Sequence, residues 1–155
     1  MIHLHRILVP TDFSKHSDNA VKYAAAFAEK FAAELHFLHV VQDMAVFIPE
    51  AVLMTPAMTP PVEQFRSAAR AALEKVMKDH NLTGLKVTTE IAEGVPFAEI
   101  VRAARDKDVD LIVMGTHGRT GLAHMLLGSV AEKVVRKAPC PVLTVRHPEH
   151  EFVHP

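Results

Sequence analysis

The sequence predicts a single α/β domain in which helices cover both faces of a parallel, five-stranded sheet. Three observations support this fold class. The chain has 155 residues, which is a one-domain length. Strand-like and helix-like segments alternate along it, as in doubly wound domains. The strand-like runs, such as ILV and LIVM, lack polar alternation, which is typical of strands that are buried on both faces.

The predicted strands are short runs of β-branched and aliphatic residues. They span residues 6–10 (RILVP), 35–41 (LHFLHVV), 85–91 (LKVTTEI), 110–115 (DLIVMG) and 141–146 (PVLTVR). The predicted helices lie between them, over residues 17–31, 61–80, 97–107 and 129–137. Their apolar residues recur at spacings of three and four, as Ala20, Tyr23 and Ala24 do in the first helix, which indicates one buried stripe per helix.

Right-handed crossovers restrict how these segments connect. We predict a Rossmann-like sheet with strand order 3-2-1-4-5, in which the order reverses between the first and fourth strands. Ligands of such sheets bind beyond the carboxyl ends of the strands at that point. The segments PTDFS (10–14) and GTHG (115–118) are therefore expected to face each other across one crevice.

The predicted domain spans residues 1–146 and contains one irregular insertion. Residues 43–60 carry three methionines and three prolines, and are long for a strand-to-helix connection. They form either a flap over apolar surface or a lid or partner-contact surface with adaptable methionines. Residues 147–155 (HPEHEFVHP) have no periodicity and are predicted to be a flexible tail, with adventitious metal affinity as the alternative.

Composition argues against several classes of function. The net charge of -1, from 17 basic and 18 acidic residues, gives nucleic-acid binding no overall electrostatic support. No apolar stretch approaches the roughly 20 residues of a membrane span, and the first residues turn polar too soon for a secretory signal. The lone cysteine, Cys140, fits a reducing cytoplasm. The 11 histidines lack the spacing of a metal site, so we predict none.

Four of the six glycines lie between residues 115 and 128, just after the fourth strand. Ser129 and Glu132 have capping-box spacing, which predicts Ser129 as the N-cap of the next helix. A helix N-terminus attracts anions, and Gly128 has no side chain to keep a phosphate away from the backbone. The loop is therefore predicted to cradle a polyphosphate. Alternatively, the glycines serve tight turns while the leucines between them fill the core.

Known phosphate motifs do not account for this loop. The sequence contains neither GxxxxGK[ST] nor GxGxxG, and its glycines follow the fourth strand rather than the first. Gly115-x-x-Gly118, nine further residues and then Gly128-Ser129 resemble the G-2x-G-9x-G-[S/T] signature of the ATP-binding branch of the universal stress proteins. The resemblance covers nearly the whole chain, through RILVPTDFS, LHVV, EGVPFAEIV, DLIVMGTHGRTG and LLGSVAEKVVRKAPCPVLTVR.

The resemblance implies a site for ATP or AMP, with Mg²⁺ carried by the nucleotide. Asp12 would bind adenine or ribose, and the glycine loop would surround the phosphates. The resemblance also implies a homodimer joined through residues 141–146. The positions implied at the site are Pro10, Thr11, Asp12, Val40, Met114, Gly115, His117, Gly118, Arg119, Gly128, Ser129 and Val130.

These patterns lead to three hypotheses of function. The first is a cytoplasmic stress-response module that binds ATP and acts as a dimeric regulator. The second is a slow ATPase in which Asp12 and His117 assist hydrolysis, although His117 could equally be only a hydrogen-bond donor to phosphate. The third is a docking protein whose segment 43–60 contacts a protein partner that the sequence does not identify, while nucleotide only stabilises the fold.

Overall fold

The structure, a computed structural model, describes residues 1–42, 62–118 and 127–146. Within these ranges the chain alternates between strands and helices, as the sequence predicts. A single helical turn, Leu82–Gly84, precedes the third strand. The elements are β1 (Arg6–Pro10), α1 (Lys15–Phe31), β2 (Glu34–Val41), α2 (Val62–Asp79), β3 (Val87–Glu93), α3 (Pro96–Asp106), β4 (Leu111–Gly115), α4 (Ser129–Lys137) and β5 (Val142–Val145).

The five strands form one parallel sheet in the order β3-β2-β1-β4-β5. In the register of the sheet, Ile7 of β1 lies between Leu35 of β2 and Leu111 of β4. The predicted fold class and strand order are thus confirmed. Chain order reverses between β1 and β4, so the carboxyl ends of these two strands mark the edge where a doubly wound sheet places its ligand.

Two cores lie on opposite faces of the sheet. Ile7 and Val9 of β1 face α1 and α2, whereas Leu8 faces α3 and α4. All three side chains are fully buried, which explains why β1 reads as a continuous apolar run. The largest fully buried side chains are Phe37, Ile7, Leu8, Leu35, Leu38, Ile112, Val9, Val21, Val113 and Val134.

Helix α1 begins two residues before its predicted start because Ser14 provides the cap. The Ser14 side chain accepts a hydrogen bond from the Ser17 backbone N–H at 3.3 Å, which satisfies one unpaired donor of the first turn. The prediction that Tyr23 belongs to the buried stripe is wrong, since this residue is 51% exposed. Val21 is buried instead, on the helix face that it shares with Ala20 and Ala24.

The predicted capping box at α4 is also wrong. The N-cap is Gly128, with extended backbone angles (φ -70°, ψ 159°), and Ser129 is the first helical residue. The Gly128 carbonyl accepts the Glu132 N–H at 2.9 Å, while the Glu132 carboxylate bonds to Arg136. The N-cap therefore lies one residue earlier than predicted, at a glycine that makes no side-chain cap, whereas the helix itself begins at Ser129 as predicted.

Three predictions fall outside the described residues: the insertion at 43–60, the tail at 147–155 and the placement of Arg119. In the ranges that are described, none of the helices combines the length and the apolar character that crossing a bilayer requires.

Candidate functional site

The carboxyl end of β1 leads into a tight turn held by Thr11. The Thr11 N–H donates to the Leu38 carbonyl at 2.9 Å, which extends the pairing of β1 and β2 by one residue. Its buried hydroxyl accepts the Phe13 N–H at 3.1 Å and lies 3.2 Å from the Ser17 hydroxyl. Thr11 therefore ties the end of the strand to the first turn of α1.

Asp12 is held within this turn. Its Oδ1 accepts the Ser14 N–H at 3.0 Å, which closes an Asx turn. Phe13 has a left-handed backbone (φ 63°), which costs a non-glycine residue about 1–3 kcal/mol. The Phe13 ring packs 4.5 Å from the ring of His39, whose Nδ1 donates to the Thr11 carbonyl at 2.8 Å. These contacts keep the chain in a strained bend, a feature that often marks functional sites.

The carboxyl end of β4 forms the other wall of the crevice. The buried Thr116 donates its N–H to the Val145 carbonyl at 3.0 Å, and its own carbonyl accepts the Gly128 N–H at 2.7 Å. Its hydroxyl lies 3.0 Å from Nδ1 of His117. Thr116 thus joins the end of β4 both to β5 and to the start of α4.

Three glycines define how closely these segments approach one another. A Cβ on Gly115 would lie 2.8 Å and 2.9 Å from the His16 backbone, so this glycine lets α1 start directly against β4. A Cβ on Gly118 would lie 2.8 Å from Oδ2 of Asp12. A Cβ on Gly128 would lie 3.0 Å from the Thr116 carbonyl oxygen. The three glycines therefore allow close packing of these segments. At Gly118, the absence of a side chain also leaves the backbone open opposite the Asp12 carboxylate.

The structure brings part of the predicted set together at this edge. Asp12 and Gly118 face each other across the crevice, and His117 lies beside Gly128 at the start of α4. Pro10 and Gly115 end the two strands. The other described members are arranged differently: the side chains of Met114, Val40 and Val130 contact the core under α3 and α4, and Ser129 is exposed.

Sequence reasoning missed four residues that shape this edge: His16, His39, Phe13 and Thr116. The spacing Asp12-x-Ser14 is a recognisable Asx-turn signal that could have predicted the bend. No local pattern marks His16 or His39, because each reaches the edge from an element that is distant from the glycine loop in sequence. Their positions follow from the packing of α1 against β4 and from the pairing of β1 with β2.

A second polar cluster lies within the sheet, on the face covered by α3. Buried His36 has Nε2 3.1 Å from Oε2 of Glu90 and Nδ1 2.7 Å from Oγ1 of Thr88. Lys107, just after α3, lies 3.1 Å from the same Glu90 oxygen. Burial lowers the pKa of His36, although the hydrogen bond to Glu90 opposes this shift. His36 is therefore held neutral, with Nε2–H donating to Glu90 and Nδ1 accepting from Thr88.

Glu90 carries the negative charge of this cluster. Burial acts to raise the pKa of Glu90, but its contacts with Lys107 and His36 together outweigh burial and hold the pKa below the ordinary value. Within the described residues, no three His, Cys, Asp or Glu side chains are grouped as metal ligands, here or at the crevice.

Comparison with known proteins identifies the family. The model of the universal stress protein family matches residues 3–146. The chain is 43% identical over 146 residues to universal stress protein MJ0531 of Methanocaldococcus jannaschii, covering 94% of this chain and 84% of that protein. The structure resembles the universal stress protein UspA from Lactobacillus plantarum, with a TM-score of 0.79, 29% identity, and coverage of 94% and 100%.

A second similar structure carries a nucleotide. It is a universal stress protein solved in complex with cAMP, with a TM-score of 0.70, 23% identity, and coverage of 94% of this chain and 99% of that one. At this level of identity the similarity shows a common fold. The family match over residues 3–146 and the 43% identity go further: this chain belongs to the universal stress protein family.

Proposed function

We propose that this protein binds an adenine nucleotide, ATP in the first place, in the crevice between the ends of β1 and β4. Bound nucleotide would make it a dimeric regulator or binding module in the stress response of the cytoplasm. One observation carries the proposal: the bare backbone of Gly118 lies against the Asp12 carboxylate at the edge where the strand order reverses.

Asp12 is suited to the adenosine part of the ligand. A carboxylate beyond the end of a strand accepts hydrogen bonds from ribose hydroxyls, as acidic residues do in dinucleotide sites. The Asx turn orients Asp12, since the Ser14 N–H holds one carboxylate oxygen while the other faces Gly118. Pro10, Thr11, Val40 and Met114 belong to the proposed lining around adenine and ribose, through backbone as well as side chain.

The start of α4 is suited to the phosphates. The first-turn amides of a helix lack intrahelical partners and carry a partial positive charge, and Gly128 places no side chain over them. His117 lies next to Gly128 and can donate a hydrogen bond to a phosphate oxygen. Ser129, Val130 and Arg119 complete the proposed phosphate contacts. Mg²⁺ would arrive with the nucleotide, because this ion commonly binds phosphates with few protein ligands.

Strand β5 supports the proposed homodimer. It is an edge strand of the sheet, and three of its four residues are only partly buried. An exposed edge invites pairing with a second strand, and antiparallel pairing of two copies of residues 141–146 across a two-fold axis would cover it.

Thermal unfolding with and without Mg·ATP tests the proposal. A ligand that binds only the folded state adds about 2.7 kcal/mol of stability at a hundred times its Kd, so millimolar Mg·ATP should raise the melting temperature. Gly128→Val should abolish the rise, because its side chain would stand over the α4 amides. Gly84→Val is the matched control, since a Cβ there meets nothing within 4 Å. An unchanged wild-type melting temperature would contradict the proposal.

Native mass spectrometry of the purified protein identifies which nucleotide it retains. Measuring phosphate release in the same samples separates binding from slow hydrolysis. Release that scales with protein, and that Asp12→Ala or His117→Ala abolishes, would favour the ATPase hypothesis over the binding module.

A further inference from the structure

We propose that His16 is a further ligand residue of this site: together with His117 it binds the phosphate groups of the nucleotide. The proposal rests on the proposed function and deepens it, because it assigns phosphate recognition to α1 as well as to the glycine loop. It is based on a contact between two described side chains: the imidazole rings of His16 and His117 pair beside the N-terminus of α4.

The backbone of His16 is fixed at the carboxyl end of β4. Its carbonyl carbon and oxygen lie 2.8 Å and 2.9 Å from the position that a Cβ on Gly115 would take, so α1 rests directly on the strand. Ser14, two residues before His16, caps the helix. The hydroxyl of Ser17, the residue after His16, donates to the Ser14 carbonyl at 3.0 Å. The position of His16 is therefore set by backbone packing and by hydrogen bonds on both sides.

The His16 ring pairs with His117. Their centroids are 5.5 Å apart and the rings are inclined at 54°. Two N–H···O bonds of about 2.9 Å that meet at one anion place their nitrogen atoms up to roughly 6 Å apart. The separation of the two rings is of this size, so both are close enough to donate to one phosphate group. The inclination differs from stacking and lets the two rings approach a tetrahedral anion from different directions.

The start of α4 also lies beside His117. Cδ2 of His117 is 3.9 Å from the position of a Cβ on Gly128, the N-cap of α4. His117 is thus close both to His16 and to the first turn of α4, and all three groups can donate hydrogen bonds. The Asp12 carboxylate lies on the Gly118 side of the same crevice and repels phosphate. We therefore expect adenosine to lie at Asp12 and phosphate at the two histidines.

Binding of ATP and of adenosine by His16→Gln tests the proposal, with isothermal titration calorimetry as the measurement. The glutamine amide is a donor but lies on a longer and more flexible side chain than the imidazole, so ATP binding should weaken roughly three- to tenfold. Adenosine binding should change less than about twofold, because adenosine has no phosphate. The control is His5→Gln, an exposed histidine at the opposite edge of the sheet, which should bind both ligands as the wild type does.

The double variant His16→Gln/His117→Gln examines the pair. If both rings hold one phosphate group, the double variant should lose less ATP affinity than the product of the two single losses. Equal losses of ATP and adenosine affinity in His16→Gln would overturn the proposal, because a merely structural residue would affect both ligands alike.

A second measurement avoids substitution. In NMR spectra of the wild-type protein with labelled histidine, the His16 imidazole signals should shift on adding ATP and stay in place on adding adenosine. Unshifted His16 signals under saturating ATP would refute the role of His16 and leave the proposed function standing. Failure of the wild type to bind ATP at all would overturn both proposals.

Discussion

Two polar regions of this sheet use the same types of side chain in different settings. In the cluster around His36, a histidine, a threonine and a carboxylate bind one another across β2 and β3, and Lys107 closes the group from the end of α3. At the carboxyl ends of β1 and β4, threonine, histidine and carboxylate sit in short turns instead. There Phe13 has a left-handed backbone and Gly118 presents bare main chain.

The difference shows how to tell a structural cluster from a binding site by packing. Around His36, regular elements surround the polar atoms, and their hydrogen bonds fix the pairing of β2 with β3. At the crevice, the hydrogen bonds hold the turns themselves, and strain and missing side chains leave room for a ligand. Substitutions in the first region should therefore change stability, whereas substitutions in the second that keep α1 packed on β4 should mainly change binding.

The largest expected effect is on stability, at Gly115, the described crevice glycine whose added Cβ would come closest to backbone atoms. Gly115→Ala would place its Cβ within 2.8 Å of the His16 carbonyl carbon, so α1 must move away from β4. Such overpacking should lower the free energy of unfolding by about 2–3 kcal/mol. Urea denaturation measures it, with Gly84→Ala as the control that stays within about 0.5 kcal/mol of the wild type. An unchanged Gly115→Ala would show that α1 is not tightly packed there.

The next effect is the pH dependence of stability, to which His36 should contribute between pH 7.5 and 5.5. Because the pKa of His36 is lowered in the folded state, the unfolded state takes up its proton first, and stability is lost as the pH falls below about 6.5. Glu90 contributes only at lower pH, since its pKa is also lowered from 4.5.

His36→Gln isolates this contribution. Glutamine can keep hydrogen bonds to Thr88 and Glu90 but does not titrate, so the decrease in unfolding free energy from pH 7.5 to 5.5 should be smaller than in the wild type. His5→Gln, which changes an exposed histidine, should keep the wild-type slope. A slope in His36→Gln equal to that of the wild type would contradict the assignment.

The sequence predicts the fold well because each strand carries its own signal. The short apolar run Ile7-Leu8-Val9 favours a strand that is covered on both faces, which the structure confirms, and right-handed crossovers restrict the strand order. Details that depend on one hydrogen bond escape this reasoning. Ser129 has ideal capping-box spacing, yet the N-cap of α4 is Gly128, whose N–H donates to the carbonyl of Thr116 just after β4.

The candidate site is predictable only where its residues directly follow strands whose place in the sheet the sequence predicts. Asp12 and Gly118 could be matched because both follow strands that meet at the reversal point of the sheet. His16 could not, because its position depends on how closely α1 packs against β4, and this distance is set by the absence of a side chain on Gly115. A sequence motif shows which residues are present, whereas the distance between α1 and β4 depends on three-dimensional packing.

A smaller effect on stability and a clear one on binding are expected from Gly118→Ala. The new Cβ would lie 2.8 Å from Oδ2 of Asp12, the mobile end of a side chain, so the carboxylate can move aside. The free energy of unfolding should stay within about 0.5 kcal/mol of the wild type, while adenosine affinity falls about tenfold because a hydrogen bond to a charged group is lost. Wild-type affinity in this variant would argue against Asp12 as a ligand contact.

The smallest expected change in stability is that of Asp12→Asn, and its effect on binding separates the two ends of the ligand. The asparagine oxygen still accepts the Ser14 N–H, so the turn should survive. Adenosine should bind about tenfold more weakly because the charged acceptor is gone. ATP should lose less affinity, because the charge that repels its phosphates disappears as well.

Asp12→Asn should thus shift the ATP-to-adenosine affinity ratio in favour of ATP, and His16→Gln should shift it the opposite way. Calorimetry on both variants measures the two ratios, and a shift in the same direction would mean that the ligand does not lie between Asp12 and the histidines.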